Sequence, residues 1–472
     1  MSSFEDIFND PSILPWLDNK AVYGMEPSDL EELQLYWIRR RFEEMRPKVR
    51  VLDRLADEIG IDRIDDVQDV TSLCLPHTMY KSYAASYVEE GRYDRMTQWL
   101  SSLTALDLSS VDALRADSLD SWLDEVEAKT DLEPLCSSGT SGKISFFPRS
   151  RRENDLWAQA YYLMHSGFRD EADSRLTSGE LDYFTPWPVA TGRHNLPNMF
   201  KRFRKIYKDK PGEHFHTLGQ GHWSVDMLWL SGRMRAAEKK GADQATLKLS
   251  PALERIREKL VQDQAETQAN IDNFIDKLMV GSRGQKIFFF APKLQLIALA
   301  QECERRGLRG EFAPGSYFFA PGRPGSKGLA YPDGWLELCK RIFPYDYQES
   351  YGMTEMTALS RRCPADHFHL MPWVALFLLD PDSGVPFPRT GVQTGRLAVF
   401  DILPTAYWGG AISGDRVTID WRGDCPCGRK GPFIHNDIVR YINLKDDDKI
   451  TCARSADAYE KATEFILGAI PD

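Results

Sequence analysis

The chain has 472 residues, 42% of them hydrophobic, and 70 acidic side chains outnumber 59 basic ones to give a net charge of −11. That length allows one large or two unequal domains with a substantial core, and the negative balance argues against a nucleic-acid partner. No apolar run approaches the roughly 18 residues a membrane span needs, the opening "MSSFEDIFNDPSILPW" is unlike a secretory leader, and eight unevenly spaced cysteines do not make a disulfide framework, so a reduced, cytoplasmic setting is expected.

From the N-terminus, Leu35, Ile38, Phe42 and Met45 recur at steps of three, four and three, which predicts an amphipathic helix over 29–46 stopped by Pro47. Helical patterning continues to about residue 130. Ser250 as cap and Pro251 in the first turn open a long helix expected over 251–280. In "KIFFFAPKLQLIALAQECERRGL" a buried strand at 287–290 precedes a helix ending near Gly307. Further strands are expected in "GELDYFTPW", "GSYFFA", "WVALFLLD", "GRLAVFDIL" and "DRVTIDW". Strands alternate with helices in the middle of the chain and crowd together after residue 370. This predicts an α/β fold: one large multi-layered αβ domain with a β-rich end, plus a small C-terminal segment. The tail after residue 440 is too short to hold a core of its own.

The stretch "CSSGTSGKISFFPRS", residues 136–150, alternates small hydroxylated residues with glycine and closes on a lysine. Backbone N–H groups and hydroxyls in such a run can cradle phosphate oxygens. It is not the P-loop G-x-x-x-x-G-K-[ST]: the opening glycine would fall on Ser137 and the final hydroxyl on Ile144, so the tight turn and the magnesium-binding hydroxyl are both missing. A flexible Ser/Gly linker is the plain alternative, and the strand-like "ISFFP" beside it argues against one. Far downstream, "ESYGMTEMTALS" holds Tyr351, Gly352, Met353, Thr354 and Glu355.

These two motifs, in this order, resemble those of the adenylate-forming superfamily of acyl-CoA ligases, luciferases and nonribosomal-peptide adenylation domains. The order SSGTSG-K-x-S is closest to the phenylacetate–CoA ligase and acyl-protein synthetase branch, and "LPHTMYKSYAASYVEEGRYDRMTQWLSSLTALDLS" resembles the region that precedes the loop there. The resemblance implies an adenylation domain in which ATP and Mg²⁺ are the cofactors. Ser138, Gly139, Thr140, Ser141, Gly142 and Lys143 would hold the β- and γ-phosphates. The Tyr351 ring and Gly352 would lie near the adenine, Thr354 at the α-phosphate, and Glu355 on the metal. A hard carboxylate oxygen suits a hard cation. Asp415, in "TGRLAVFDILPTAYWGGAISGDRVTIDW", would grip the ribose hydroxyls, and Arg440 stands where the family has a hinge arginine. "GSYFFAPGRPGSKG" matches loosely the Gly-rich strand and loop at the adenine. On this basis 1–130 is the mostly helical start of the large domain, 131–420 its nucleotide- and substrate-binding core, and 421–472 a turn, hinge and truncated C-terminal segment. Relatives carry a catalytic lysine near the end of a longer C-terminal domain; Lys449 and Lys461 are the substitutes here, and a solvated lysine among aspartates is the plain alternative.

"CPCGR" recurs in the same branch, and Cys425 and Cys427 offer two thiolates from one turn, half of a tetrahedral zinc site. "RRCPADHFHL" supplies Cys363 and either His367 or His369; the spacing in relatives favours His369. The alternative is a set of small turn residues and locally bonded histidines. Phe184, Trp187, Arg193, His194 and Trp223, in two aromatic stretches expected as loops, suit an aryl carboxylate, although core packing is the commoner fate of such rings. The resemblance therefore implies an AMP-forming ligase that activates a small, aromatic carboxylic acid and passes the acyl group to an amine, thiol, CoA or acceptor protein. The alternative within the same fold is a diazotase that adenylates nitrite to diazotise an aryl amine; a non-catalytic scaffold is the third.

Overall fold

The computed structural model describes residues 4–10, 14, 17–137, 143–166, 181–187, 191–206, 213–219, 222–239, 268–321 and 331–441. Among these lie two large sheets and three two-stranded ones. The first is parallel throughout, in the order 347–348, 317–319, 287–290, 182–185, 215–217. Its strands are aromatic-rich because both faces are covered, and side chains alternate between the faces. Tyr183, Phe288, Phe290 and Phe319 point to one core, shared with Tyr161, Phe200 and Phe203 of the helices Arg151–Ser166 and Asn195–Ile206. Phe184, Phe289 and Phe318 point to the other, against Leu296, Ile297 and Ala300 of the helix Lys293–Arg305.

The second sheet is mostly antiparallel, in the order 367–368, 433–435, 410–420, 392–401, 374–379. The strand Gly410–Asp420 pairs along one side with Val392–Asp401. Its other edge is shared by three short strands: Leu75–Pro76, parallel, at 411–412; Val439–Arg440 at 415–416; and Phe433–His435 at 419–420. The N-terminal helices seal this sheet. Gln34 Nε2 donates to Pro372 O (2.7 Å) and Arg41 Nε to Ile402 O (2.8 Å), both from the helix Pro27–Met45.

The expected strands all form, Ile287–Phe290 with the predicted bounds, and the next helix ends at Arg305, before Gly307 with φ of +68°. The long helix expected over 251–280 is described only from residue 268, and its last part, Asp276–Gly281, widens into a π-helix. The segment assigned to a turn and hinge beyond residue 420 contributes two strands to the large sheet, because its backbone completes the open edge of Gly410–Asp420.

Candidate active site and Cys/His cluster

The strands Leu135–Cys136 and Phe146–Phe147 form the hairpin that carries the Ser/Gly-rich stretch. Its base is tied by Ser137 N–H to Ser145 O (3.0 Å) and Ser145 N–H to Ser137 Oγ (2.9 Å). Ser138, Gly139, Thr140, Ser141 and Gly142 lie outside the described residues, as do Lys449, Lys461 and residues 322–328 of the Gly-rich stretch. Lys143 is described: its Nζ donates to Tyr83 O and sits 4.4 Å from the Tyr83 ring centroid. Burial, and then the neighbouring charge of Lys81, bring its pKa down to about 8.

Tyr351 and Gly352 end the strand Ser350–Gly352, paired with Leu359–Arg361. A side chain at 352 would place its Cβ 1.9 Å from Leu359 Cδ2, so this crossing favours glycine. Three of the expected residues meet directly. Tyr351 Oη donates to Asp415 Oδ2 (2.8 Å), and Arg440 Nε pairs with Asp415 Oδ1 at 2.8 Å. Asp415 and Arg440 are cross-strand partners, which is why the contact forms. Each Asp415 oxygen keeps a lone pair for a further donor.

Thr354 Oγ1 accepts from Asn195 Nδ2 (3.2 Å), and its carbonyl accepts from Arg149 Nη2 (2.7 Å). Glu355, beside it, is partly buried. Burial raises its pKa above the usual carboxylate value, Asp415 adds to that, and Arg440 and Arg149 oppose it. Lys81, in the 3₁₀ turn Met79–Lys81, feels Glu355 and Arg440 as well as Lys143. A single carboxylate with a neighbouring hydroxyl fits Mg²⁺ that takes its remaining ligands from phosphate and water. Lys81, Arg149 and Asn195 were not singled out by sequence. The first two lie inside stretches quoted above, and the signal was their basic side chain next to a motif.

The expected aromatic pocket divides. Trp187, His194 and Trp223 cluster, with ring centroids 5.3–6.1 Å apart, and Asn195 links this cluster to Thr354. Phe184 instead packs into the second core, stacked on His216. The Arg193 guanidinium is taken up by Glu127 (2.6 Å), Asp124 (2.6 Å) and Asp120 (3.4 Å). With three carboxylates on it, it has no charge to offer a substrate.

Cys363, His369, Cys425 and Cys427 bring their ligand atoms within 4.8 Å of one another. Cys363 Sγ lies 3.9 Å from Cys425 Sγ, and Cys427 Sγ 3.3 Å from His369 Nε2. The second falls at, and the first just beyond, the edge lengths of a zinc tetrahedron, roughly 3.3–3.8 Å for the usual Zn–S and Zn–N bonds. Burial, with Arg429 and His367 nearby, takes the His369 pKa to about 3, so its imidazole is neutral and has a lone pair to give. His367 falls outside the four. Its Nδ1 is 3.3 Å from Cys425 Sγ, the place of an outer hydrogen-bond partner.

No family model matches the chain, and no curated protein does. Among solved structures it is similar to a 2-hydroxyisobutyryl-CoA ligase in the postadenylation state, 13% identical, covering 94% of this chain and 85% of that one with a TM-score of 0.46. It is also similar to ATP-bound MatB from Rhodopseudomonas palustris, 15% identical, covering 68% of this chain and 52% of that one, TM-score 0.35. A third is the amide bond synthetase McbA from Marinactinospora thermotolerans, 12% identical, covering 84% and 78%, TM-score 0.33. The chain thus matches about half the length of MatB.

Proposed function

We propose that this chain is an ATP- and Mg²⁺-dependent adenylate-forming ligase. The observation that carries the proposal is the meeting of Tyr351, Asp415 and Arg440 through two 2.8 Å contacts, with Glu355 and Lys81 coupled electrostatically to them and Lys143 coupled in turn to Lys81. These are the residue types that sugar, metal and phosphate oxygens need. A substrate carboxylate oxygen attacks the α-phosphorus, the bond to pyrophosphate breaks, and an acyl-adenylate forms; a nucleophile then takes the acyl group and AMP leaves. The first step asks the protein for alignment and charge neutralisation. Lys143 and Lys81 meet the phosphate charge, Thr354 offers a hydroxyl beside it, and Asp415 accepts from the ribose hydroxyls. Bound at Glu355, Mg²⁺ would supply charge neutralisation at the phosphates. The Trp187, His194 and Trp223 cluster next to Asn195 supports a small aromatic acid as substrate; an amine, thiol or CoA would be the acceptor, and secondary metabolism the setting. Cys363, His369, Cys425 and Cys427 would hold a structural zinc, a closed set with no open position for chemistry.

Pyrophosphate release, screened over carboxylic acids and over nitrite with aryl amines, tests the proposal. Release with an aromatic carboxylate alone is expected. Strict dependence on nitrite would replace ligase by diazotase, and no release under any condition would leave a non-catalytic scaffold.

A further inference from the structure

Arg149 closes the hairpin that carries residues 138–142 and is fully buried. Its backbone is fixed at both ends: Arg149 N–H donates to Phe147 O and Glu133 N–H to Arg149 O, each at 2.8 Å. Its side chain crosses to the other motif, where Nη2 donates to Thr354 O (2.7 Å) and Met356 O (2.5 Å). The two carbonyls flank Glu355. Nε and Nη1 have no close hydrogen-bond partner among the described residues; the Trp157 ring centroid lies 5.8 Å from the guanidinium, and the Tyr407 hydroxyl is a polar neighbour. Burying a guanidinium with so few close partners is expensive, and among the described residues both of its close side-chain hydrogen bonds clamp one turn. The next residue is held by a carboxylate: Asp401 Oδ2 accepts from Thr357 N–H and from Thr357 Oγ1 (2.6 Å).

We propose that Arg149 is a positioning residue that locks the Thr354–Glu355–Met356 turn to the phosphate-loop hairpin and holds Glu355 ready for the metal. This rests on the adenylating function proposed above. The charged and titratable groups around the two residues are Arg440, Asp415, Lys81 and Tyr80 on the Glu355 side, and Asp401 and Tyr407 on the Arg149 side.

Two variants test this, Arg149→Met and Arg149→Lys, each checked for folding by circular dichroism and melting temperature. Hydrogen exchange of the amides at 353–358 reads the clamp without any need for activity. About tenfold faster exchange is expected in Arg149→Met, with the remaining core unchanged. In pyrophosphate release, kcat is expected to fall about 100-fold while the KM of the acid holds. Arg149→Lys should leave kcat low, because its side chain is one bond shorter and its ammonium does not reach both carbonyls that Nη2 bridges. Wild-type exchange at 353–358 in a folded Arg149→Met overturns the inference, and so does faster exchange with kcat unmoved. If Arg149→Met does not fold, Arg149→Lys decides: unchanged exchange and unchanged kcat in that variant overturn it. A wild-type chain that releases no pyrophosphate refutes the adenylating function, while the exchange measurement still decides the clamp.

Discussion

The molecule holds two polar clusters that solve opposite problems. In the Cys/His cluster, four ligand atoms lie within 4.8 Å of one another, two pairs of them at 3.3 and 3.9 Å. In the charged cluster, Arg440 and Lys81 act on Glu355, Arg440 pairs with Asp415, and Lys143 lies next to Lys81, its pKa lowered by burial and then by the Lys81 charge. The first is closed and suited to one small cation. The second is open and mismatched, an arrangement that a large polyanion with its own metal would complete. Closed sites stabilise folds, and open ones are kept at some cost in stability.

Breaking the open cluster should have the largest effect. Glu355→Gln and Asp415→Ala are each expected to lower pyrophosphate release about 100- to 1,000-fold with circular dichroism unchanged; wild-type turnover in either would separate that residue from the site. Breaking the closed cluster should act on stability instead. Purified protein is expected to carry near-stoichiometric zinc by ICP-MS after a chelator wash, and Cys427→Ser to lose it with a stability loss of about 4 kcal/mol. Pyrophosphate release well below the melting temperature should be retained. Metal-free wild type with full stability would remove zinc from the comparison. The smallest effect sharpens the open cluster. Lys143 is cationic below its pKa of about 8 and loses its charge as pH rises past it, so kcat/KM for Mg·ATP should fall roughly tenfold on the alkaline side. Lys143→Arg should move that limb beyond the measurable range, and a limb that stays in place assigns it to another group.

The parts of the fold that rest on local patterning were legible in the sequence. The Ile287–Phe290 run, its turn into a helix and the stop before Gly307 follow from composition and glycine chemistry alone. So were Tyr351, Asp415 and the four Cys/His residues, because motif spacing marks them. What sequence could not give was the use of side chains across the fold. Arg193 is consumed by Asp120, Asp124 and Glu127, which line one stripe of the helix Leu119–Lys129; nothing near Arg193 announces that helix as its neighbour. Phe184 faces the wrong side for a pocket because strand alternation sends Tyr183 and Phe184 to different cores. Lys81 reaches the charged cluster because Leu75–Pro76 docks beside Ala411 and Ile412, a pairing that joins the two ends of the chain.

That shared edge also ties three distant stretches of chain to one ruler. The N-terminal strand bearing the run to Lys81, the Val439–Arg440 strand and the strand beside the Cys/His cluster are all in register with Gly410–Asp420. A slip of any one of them along the ruler alters the spacing between a lysine, a carboxylate and an arginine at once. The distance from Arg440 to Asp415 is thus set by backbone pairing, cross-strand residue to cross-strand residue.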